Sequence, residues 1–321
     1  MKDPYLMETE IPVVIAHFGN KPNYLKLALQ SAANFNKTVV LIGDDTNKGF
    51  WRNHWEAVPG KLDKFQEFQK HYVHMSSTGQ EYEVACFRRM FALEEWMKEN
   101  AFNRAFHLDS DVMTFADYSK EVCPLLPQDC IAALMAVERE LLYPTWIICC
   151  HFSYWTLGAL EDYTTFCINA YRNKTIRDKL EAKWQWHLDN NKGGGISDMT
   201  LLYFWAQGNP RIINFTKVYN GMTADHNFNL SEQYYVKEYK MQFGLKKFIF
   251  KEGIPYGYNK LLNKWIRFLC IHCQGAGKYA MPFLSHRHLR RFYVVTRILY
   301  RIRSKYFRFS CRKFKKFMSR G

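Results

Sequence analysis

"AFHLDSDVMTF", residues Ala105–Phe115, decides how this chain is read. An apolar run (Ala105, Phe106, Leu108) leads into Asp109-Ser110-Asp111, and more apolar residues follow. Burying one carboxylate is costly, and two anions so close repel each other. In a strand, residues i and i+2 point to the same side. At a strand end both carboxylates can therefore converge on one ion, directly or through water. Mg²⁺ and Mn²⁺ suit that place, because they take oxygen ligands and keep positions open for water and substrate phosphates. D-x-D is also common in surface turns, and a phosphohydrolase motif, D-x-D-x-T/V, shares it. Here Met113 stands at the T/V position and the motif lies well inside the chain.

Working outward, "IPVVIAHFGN" reads as a buried strand ending in a Gly-containing loop. "NYLKLALQSAANF" has helical spacing, with Leu25, Leu29, Ala32 and Ala33 on one face. "KTVVLIGDD" is a second strand, closed by Asp44 and Asp45. This strand–helix–strand opening predicts a parallel α/β sheet. A long helical region runs from Gly79 to Asn100, and "RAFHLDSDV" follows as a strand with Asp109 and Asp111 at its C-terminal end. Ligands bind at that edge of open α/β sheets. "CIAALMAV" and "RIIN" read as further strands, "LGALEDYTTFCINAY" and "SDMTLLYFWAQ" as helices. The second helix follows "NNKGGG", read as a flexible turn, and Ser197 or Asp198 can cap it. After Tyr143 the text is aromatic and otherwise loop-rich, and residues 219–260 have no clear period.

The chain has 321 residues and a formal net charge of +15, unevenly placed. No Asp or Glu follows Glu252, and 17 of the 45 basic residues lie beyond it, leaving 28 basic against 30 acidic residues in the rest. A near-neutral body thus carries a cationic C-terminal segment, so the overall charge is no argument for nucleic-acid binding. From about Ser285, Leu289, Phe292, Val295, Leu299, Ile302, Tyr306 and Phe309 recur at intervals of three and four among Arg and Lys. That pattern predicts a basic amphipathic helix over 285–321, attached to a body of residues 1–284. Such a helix suits an anionic membrane surface, with RNA as the alternative partner. The start of the chain is a poor secretory signal, and no run of about 18 apolar residues exists to span a membrane. Nine irregularly spaced cysteines fit buried reduced thiols. The expectation is a cytoplasmic protein associated peripherally with membrane, with no nucleic-acid partner.

A second motif, "LCIHCQGAGKYAM", contains His272-Cys273-Gln274-Gly275-Ala276-Gly277-Lys278, or H-x-x-G-x-x-K. An imidazole can complete the shell of a cation held by carboxylates. Glycines such as Gly275 let backbone approach phosphate, and a lysine binds diphosphate oxygens as a point charge. A core histidine beside a Gly turn is the alternative. Cys270-x-x-Cys273 also raises zinc, but no second cysteine pair at zinc spacing follows.

An apolar strand ending in D-x-D, with H-x-x-G-x-x-K about 160 residues later, resembles the GT-A glycosyltransferases, and most closely glycosyltransferase family 8. That group includes glycogenin and bacterial lipooligosaccharide galactosyltransferases. The resemblance covers roughly residues 11–280. The family motif usually continues with Pro-Trp, where this chain has Tyr279-Ala280. It implies an α/β, Rossmann-like mixed sheet flanked by helices. It also implies transfer of a hexosyl unit from a nucleotide diphosphate sugar, UDP-linked, to a saccharide or lipid-linked acceptor, with Mn²⁺ or Mg²⁺ and with retention. Asp109, Asp111 and His272 would hold the metal, and Lys278 would contact the diphosphate. Arg88 or Arg89, in "CFRRMFALEEW", would bind the donor; either can instead be a surface charge. Ala16, His17 and Ser110 would lie along the nucleotide, and Asp44 or Asp45 would bind base or ribose unless they only form a turn. Asp198 matches the acidic residue placed against the donor sugar, followed by Met199 where relatives often have Gln. His151, Tyr154 and Trp155 are candidates for stacking on an acceptor sugar, with core packing as the alternative. Two other classes stay open: a non-catalytic membrane- or RNA-binding protein, and a D-x-D phosphohydrolase.

Overall fold

A computed structural model describes residues 10–296. β1 (Val13–Ala16), α1 (Asn23–Ala33) and β2 (Val39–Gly43) form the expected strand–helix–strand opening. β3 (His54–Glu56), α2 (Asp63–His71) and α3 (Gln80–Glu99) follow. β4 (Arg104–Leu108) runs straight into Asp109, and β5 (Val112–Thr114) leaves just after Asp111. Then come β6 (Ala132–Met135), β7 (Cys149–Thr156), α4 (Leu157–Ala170), α5 (Lys174–Asp189), α6 (Asp198–Ala206) and β8 (Ile212–Asn214). β9 (Met222–Thr223), β10 (Met241–Gln242), β11 (Leu245–Lys246), β12 (Phe248–Lys251), β13 (Ile254–Asn259), β14 (Lys264–Phe268), β15 (Cys270–His272) and α7 (Met281–Ser285) complete the described chain.

Seven strands form one mixed sheet in the order β3-β2-β1-β4-β7-β6-β8. β1 pairs in parallel with β2 and with β4, whereas β7 runs antiparallel to both β4 and β6. Both faces are covered, so β1 and β2 read as unbroken apolar runs rather than alternating ones. One core packs α1 and the C-terminal elements against Val13, Ile15, Leu41 and Phe106. The other packs α2, α3, α4 and α6 against Val14, Val40, Ile42 and Trp155. This is the helix-flanked mixed α/β sheet that the GT-A resemblance implies.

Three expectations change. The segment after Tyr143 is not all loop, because β7 is an eight-residue strand in the middle of the sheet. Residues 219–260, which show no period, hold short strands that build small sheets of their own. The turn at "GGG" is a fixed packing point. Ile196 N donates to Met75 O at 2.7 Å and Ser77 N to Gly194 O at 2.9 Å. At Gly195, with φ +142°, a Cβ would come within 2.3 Å of the Met75 oxygen. Only glycine allows that approach.

The body also continues past residue 284. Tyr293 is buried, its hydroxyl donating to Lys246 O at 2.7 Å and accepting from Phe248 N at 2.8 Å. Arg290 Nε donates to Leu284 O at 2.7 Å. A bend and a short 3-10 turn at Arg290–Phe292 occupy this stretch, so the helix does not run continuously from Ser285. The remainder of the expected basic helix, 297–321, lies outside the described residues. Among the described residues, no helix is long and apolar enough to cross a membrane, and the eight cysteines are all free.

Candidate active site

A cavity of about 750 Å³ opens at the C-terminal end of β4, lined by Arg89, Asp109, Asp111, Asp198, His272, Gly275 and Lys278, among others. The chain turns tightly there, with Val112 N donating to Asp109 O at 3.1 Å. β15 then pairs antiparallel with β5, setting His272 opposite Val112, and Cys273 N donates to Asp111 O at 2.9 Å. Segments some 160 residues apart thus place Asp109, Asp111 and His272 with a ligand atom of each within 4.8 Å of the others.

The imidazole of His272 is oriented for ligation. Its Nδ1 lies 2.8 Å from the His226 carbonyl. A carbonyl only accepts, so Nδ1 carries a proton and Nε2, the nitrogen left for a metal, faces Asp111 at 3.5 Å. Two carboxylates and one imidazole so arranged suit Mn²⁺ or Mg²⁺. Lys278 Nζ lies 3.2 Å from the other Asp111 oxygen and 4.7 Å from the Tyr24 ring centre. Burial alone would push the Asp111 carboxyl up, but His272 and then Lys278 outweigh it and hold the group well below the usual carboxylate range. His272 answers in kind: burial opposes its charge, and Asp111 raises its pKa above the ordinary value.

Arg89 is the hinge between two acids. One guanidinium nitrogen pairs with Asp109 Oδ1, the other with Asp198 Oδ2 at 2.6 Å, and Nε is buried without a partner among the described residues. Burial works against its charge, and Asp109, followed by other nearby anionic groups, more than offsets that. Asp198 does not cap α6. Ser197 stands at the N-cap, and the Asp198 side chain, 1% exposed, turns inward to Arg89. Arg88 points elsewhere, donating to Ala57 O and lying 4.3 Å over the Phe18 ring; burial lowers its pKa, and Asp44 and Asp45 only partly offset that.

At the end of β1, Ala16 leads into His17, whose Nδ1 meets the Ser110 hydroxyl at 3.0 Å. Asp44, just after β2, is held by backbone. Its Oδ2 accepts from Gly19 N at 2.8 Å and its Oδ1 from Thr46 N at 3.1 Å, so it pins two loops together. Asp45 remains exposed beside it. Gly275 has φ +55° and open space where a side chain would be, as a phosphate-facing glycine needs.

The acceptor expectations for Trp155 and Tyr154 are corrected. Trp155 is fully buried, stacked near Tyr163 and Trp205, with Nε1 donating to Ser153 Oγ at 2.9 Å. Tyr154 packs on Phe106 in the opposite core. Their strand is covered on both faces, so neither ring reaches the cavity. His151 does reach it, but is buried with its ring 3.9 Å from that of His272. Burial, then the two neighbouring histidines, pull its pKa well below 6.5, so it is neutral.

Several cavity residues carried no sequence signal. Lys183 is 1% exposed on α5, and burial brings its pKa down to about 7. Its Nζ donates to Thr145 O at 2.6 Å and Thr200 Oγ1 at 2.8 Å. Glu83, accepting from Ser76 Oγ at 2.8 Å, has its carboxyl raised by burial. Behind His272 lies a fully buried Asp225–Lys246 pair, and Asp225 Oδ2 accepts from His272 N at 3.0 Å. A buried lysine on a mostly polar helix leaves no periodic trace.

Solved structures that align with this mixed sheet include glycosyltransferases. Mouse xyloside xylosyltransferase 1 in its apo form matches at TM-score 0.44 and 12% identity, over 64% of this chain and 84% of that one. The galactosyltransferase LgtC, in complex with donor and acceptor sugar analogues, matches at TM-score 0.38 and 12% identity, over 68% and 75%. A glycosyltransferase involved in glycosylating the major capsid of PBCV-1 matches at TM-score 0.37 and 12% identity, over 65% and 84%. No protein-family model and no curated protein matches the sequence. At such identity and overlap, the chemistry of this chain has to be argued from its own residues.

Proposed function

We propose that the protein is a metal-dependent glycosyltransferase, moving a hexosyl unit from a UDP-linked sugar to a saccharide or lipid-linked acceptor. One observation carries this reading: Asp109, Asp111, His272 and Lys278 converge at the mouth of a large cavity. A bound Mn²⁺ or Mg²⁺ would supply charge neutralisation for a diphosphate. Around it, Lys278 contributes a second positive charge and Gly275 leaves room for phosphate oxygens. Arg89 orients Asp109 and Asp198 together, so the carboxylates cannot drift apart. Asp198 is the anionic group assigned to the sugar, where positive charge develops as the glycosidic bond breaks. A UDP-sugar panel assayed by UDP release tests this. Release with one donor, dependent on Mn²⁺ and lost in Asp111→Ala, supports the transferase. Hydrolysis of simple phosphate esters that survives His272→Ala supports a phosphohydrolase instead.

The C-terminal segment is proposed to hold the enzyme at an anionic cytoplasmic membrane face. Leu289, Phe292 and Val295 are exposed apolar residues beside Arg287 and Arg291, where the basic stretch begins. Co-sedimentation with phosphatidylserine vesicles should fall on removal of 297–321, and equal binding would exclude the anchor.

A further inference from the structure

Apart from the acidic group, one more set of metal-ligating side chains comes together among the described residues. Cys149, His151 and His226 each offer one ligand atom, and these atoms lie within 4.8 Å of one another. Cys149 and His151 are i and i+2 on β7 and so share a face of the strand. His226 comes from the loop after β9.

Three details point to an ion. His151 Nε2 lies 3.1 Å from the Asp225 carbonyl, so it carries the proton and leaves Nδ1 a free lone pair. His226 is 6% exposed, yet its Nδ1 is buried with no partner among the described residues, as is Oε2 of the neighbouring Glu140. Leaving such atoms unmet is costly. His226 Nε2 and Glu140 Oε1 are 3.5 Å apart. That is long for a hydrogen bond. It places Glu140 at the ring nitrogen opposite the unmet Nδ1, where the outer carboxylate of a metal-bound imidazole stands.

We propose that Cys149, His151 and His226 form a second metal site, of zinc type, with Glu140 as the adjacent carboxylate. Thiolate and imidazole ligands select Zn²⁺ over Mg²⁺ or Mn²⁺, which suit the acidic group instead. Without an ion, burial and then Glu140 keep the thiol protonated. Binding of the dication releases that proton to solvent and forms the sulfur–metal bond. The ion ties β7 to the loop whose 226 carbonyl orients His272. The cavity, which Cys149 and His151 line, gives it a way in. The Cys270-x-x-Cys273 pair takes no part.

The test uses the full chain, stripped of metal and reloaded with Co²⁺. A thiolate-to-cobalt charge-transfer absorption is expected in the wild type and in Asp111→Asn, and should be lost in Cys149→Ser. In the zinc-loaded wild type, X-ray absorption should show one sulfur at ~2.3 Å with nitrogen or oxygen neighbours at ~2.0 Å. This second measurement decides alone if Cys149→Ser fails to fold. A band absent from the wild type, unchanged by Cys149→Ser or abolished by Asp111→Asn overturns the proposal, as does a zinc shell without sulfur. None of these readouts depends on glycosyl transfer, so the site stands or falls separately from the proposed function.

Discussion

Replacing Arg89 by methionine keeps an apolar stem of similar length and removes one positive charge. The loss falls unevenly on the two acids it holds. Asp109 is 26% exposed at its side chain and can recover some hydration, whereas Asp198 is 1% exposed. Among the described residues, the stranded Asp198 oxygen keeps only a weak thiol contact, Cys150 Sγ at 3.9 Å. Breaking a buried pair on one side costs about 3–5 kcal/mol. Solvent access at Asp109 argues for the lower end, about 3 kcal/mol. Urea unfolding of the variant beside the wild type measures that deficit. Adding Asp198→Asn to Arg89→Met should restore about half or more of the lost stability, since the stranded charge is gone. A deficit under about 1 kcal/mol, or one that Asp198→Asn does not relieve, would refute the idea that Arg89 neutralises a buried acid.

Lys246→Met strands Asp225, which is fully buried, and should cost about 3–5 kcal/mol in urea unfolding. Because Asp225 also holds the backbone of His272, Mn²⁺ binding by calorimetry should weaken in the same variant. Lys183, with its pKa lowered to about 7, binds fewer protons folded than unfolded between about pH 7 and 10.5. Stability should therefore rise with pH across that window, and Lys183→Met should flatten the slope; the acceptors on its Nζ favour the ammonium form and shrink the effect. Trp155→Phe should lower thermal stability through lost packing and leave the acceptor KM unchanged, because the ring is sealed in the core.

The acidic pair was readable because an apolar strand running into two carboxylates has few stable outcomes without a cation. His272 and Lys278 were readable because glycines separate them at a spacing that lets backbone approach a phosphate. β7 was hidden by its own chemistry. His151 and Ser153 look polar in sequence, yet their partners are the carbonyls of Asp225 and Cys150, which satisfy them inside a buried strand. Asp44 shows the opposite failure. A carboxylate after a strand reads equally as ligand or loop pin, and the pinning contact to Gly19 N comes from a separate loop that the local pattern does not show. Lys183, Glu83 and His226 come from three separate segments, so no local pattern announces that they line or adjoin one cavity. The strands of 219–260 are two to six residues long, too short for a period to emerge.

The central claim is that remote segments assemble one cation site that grips a diphosphate. Calorimetric titration of UDP into the wild type, with and without Mn²⁺, tests it most directly. Mn²⁺ should tighten UDP at least about tenfold, a coupling of about 1.4 kcal/mol, and Asp111→Asn and His272→Ala should each abolish that gain. UDP binding indifferent to Mn²⁺, or a metal effect that survives both substitutions, would contradict the account.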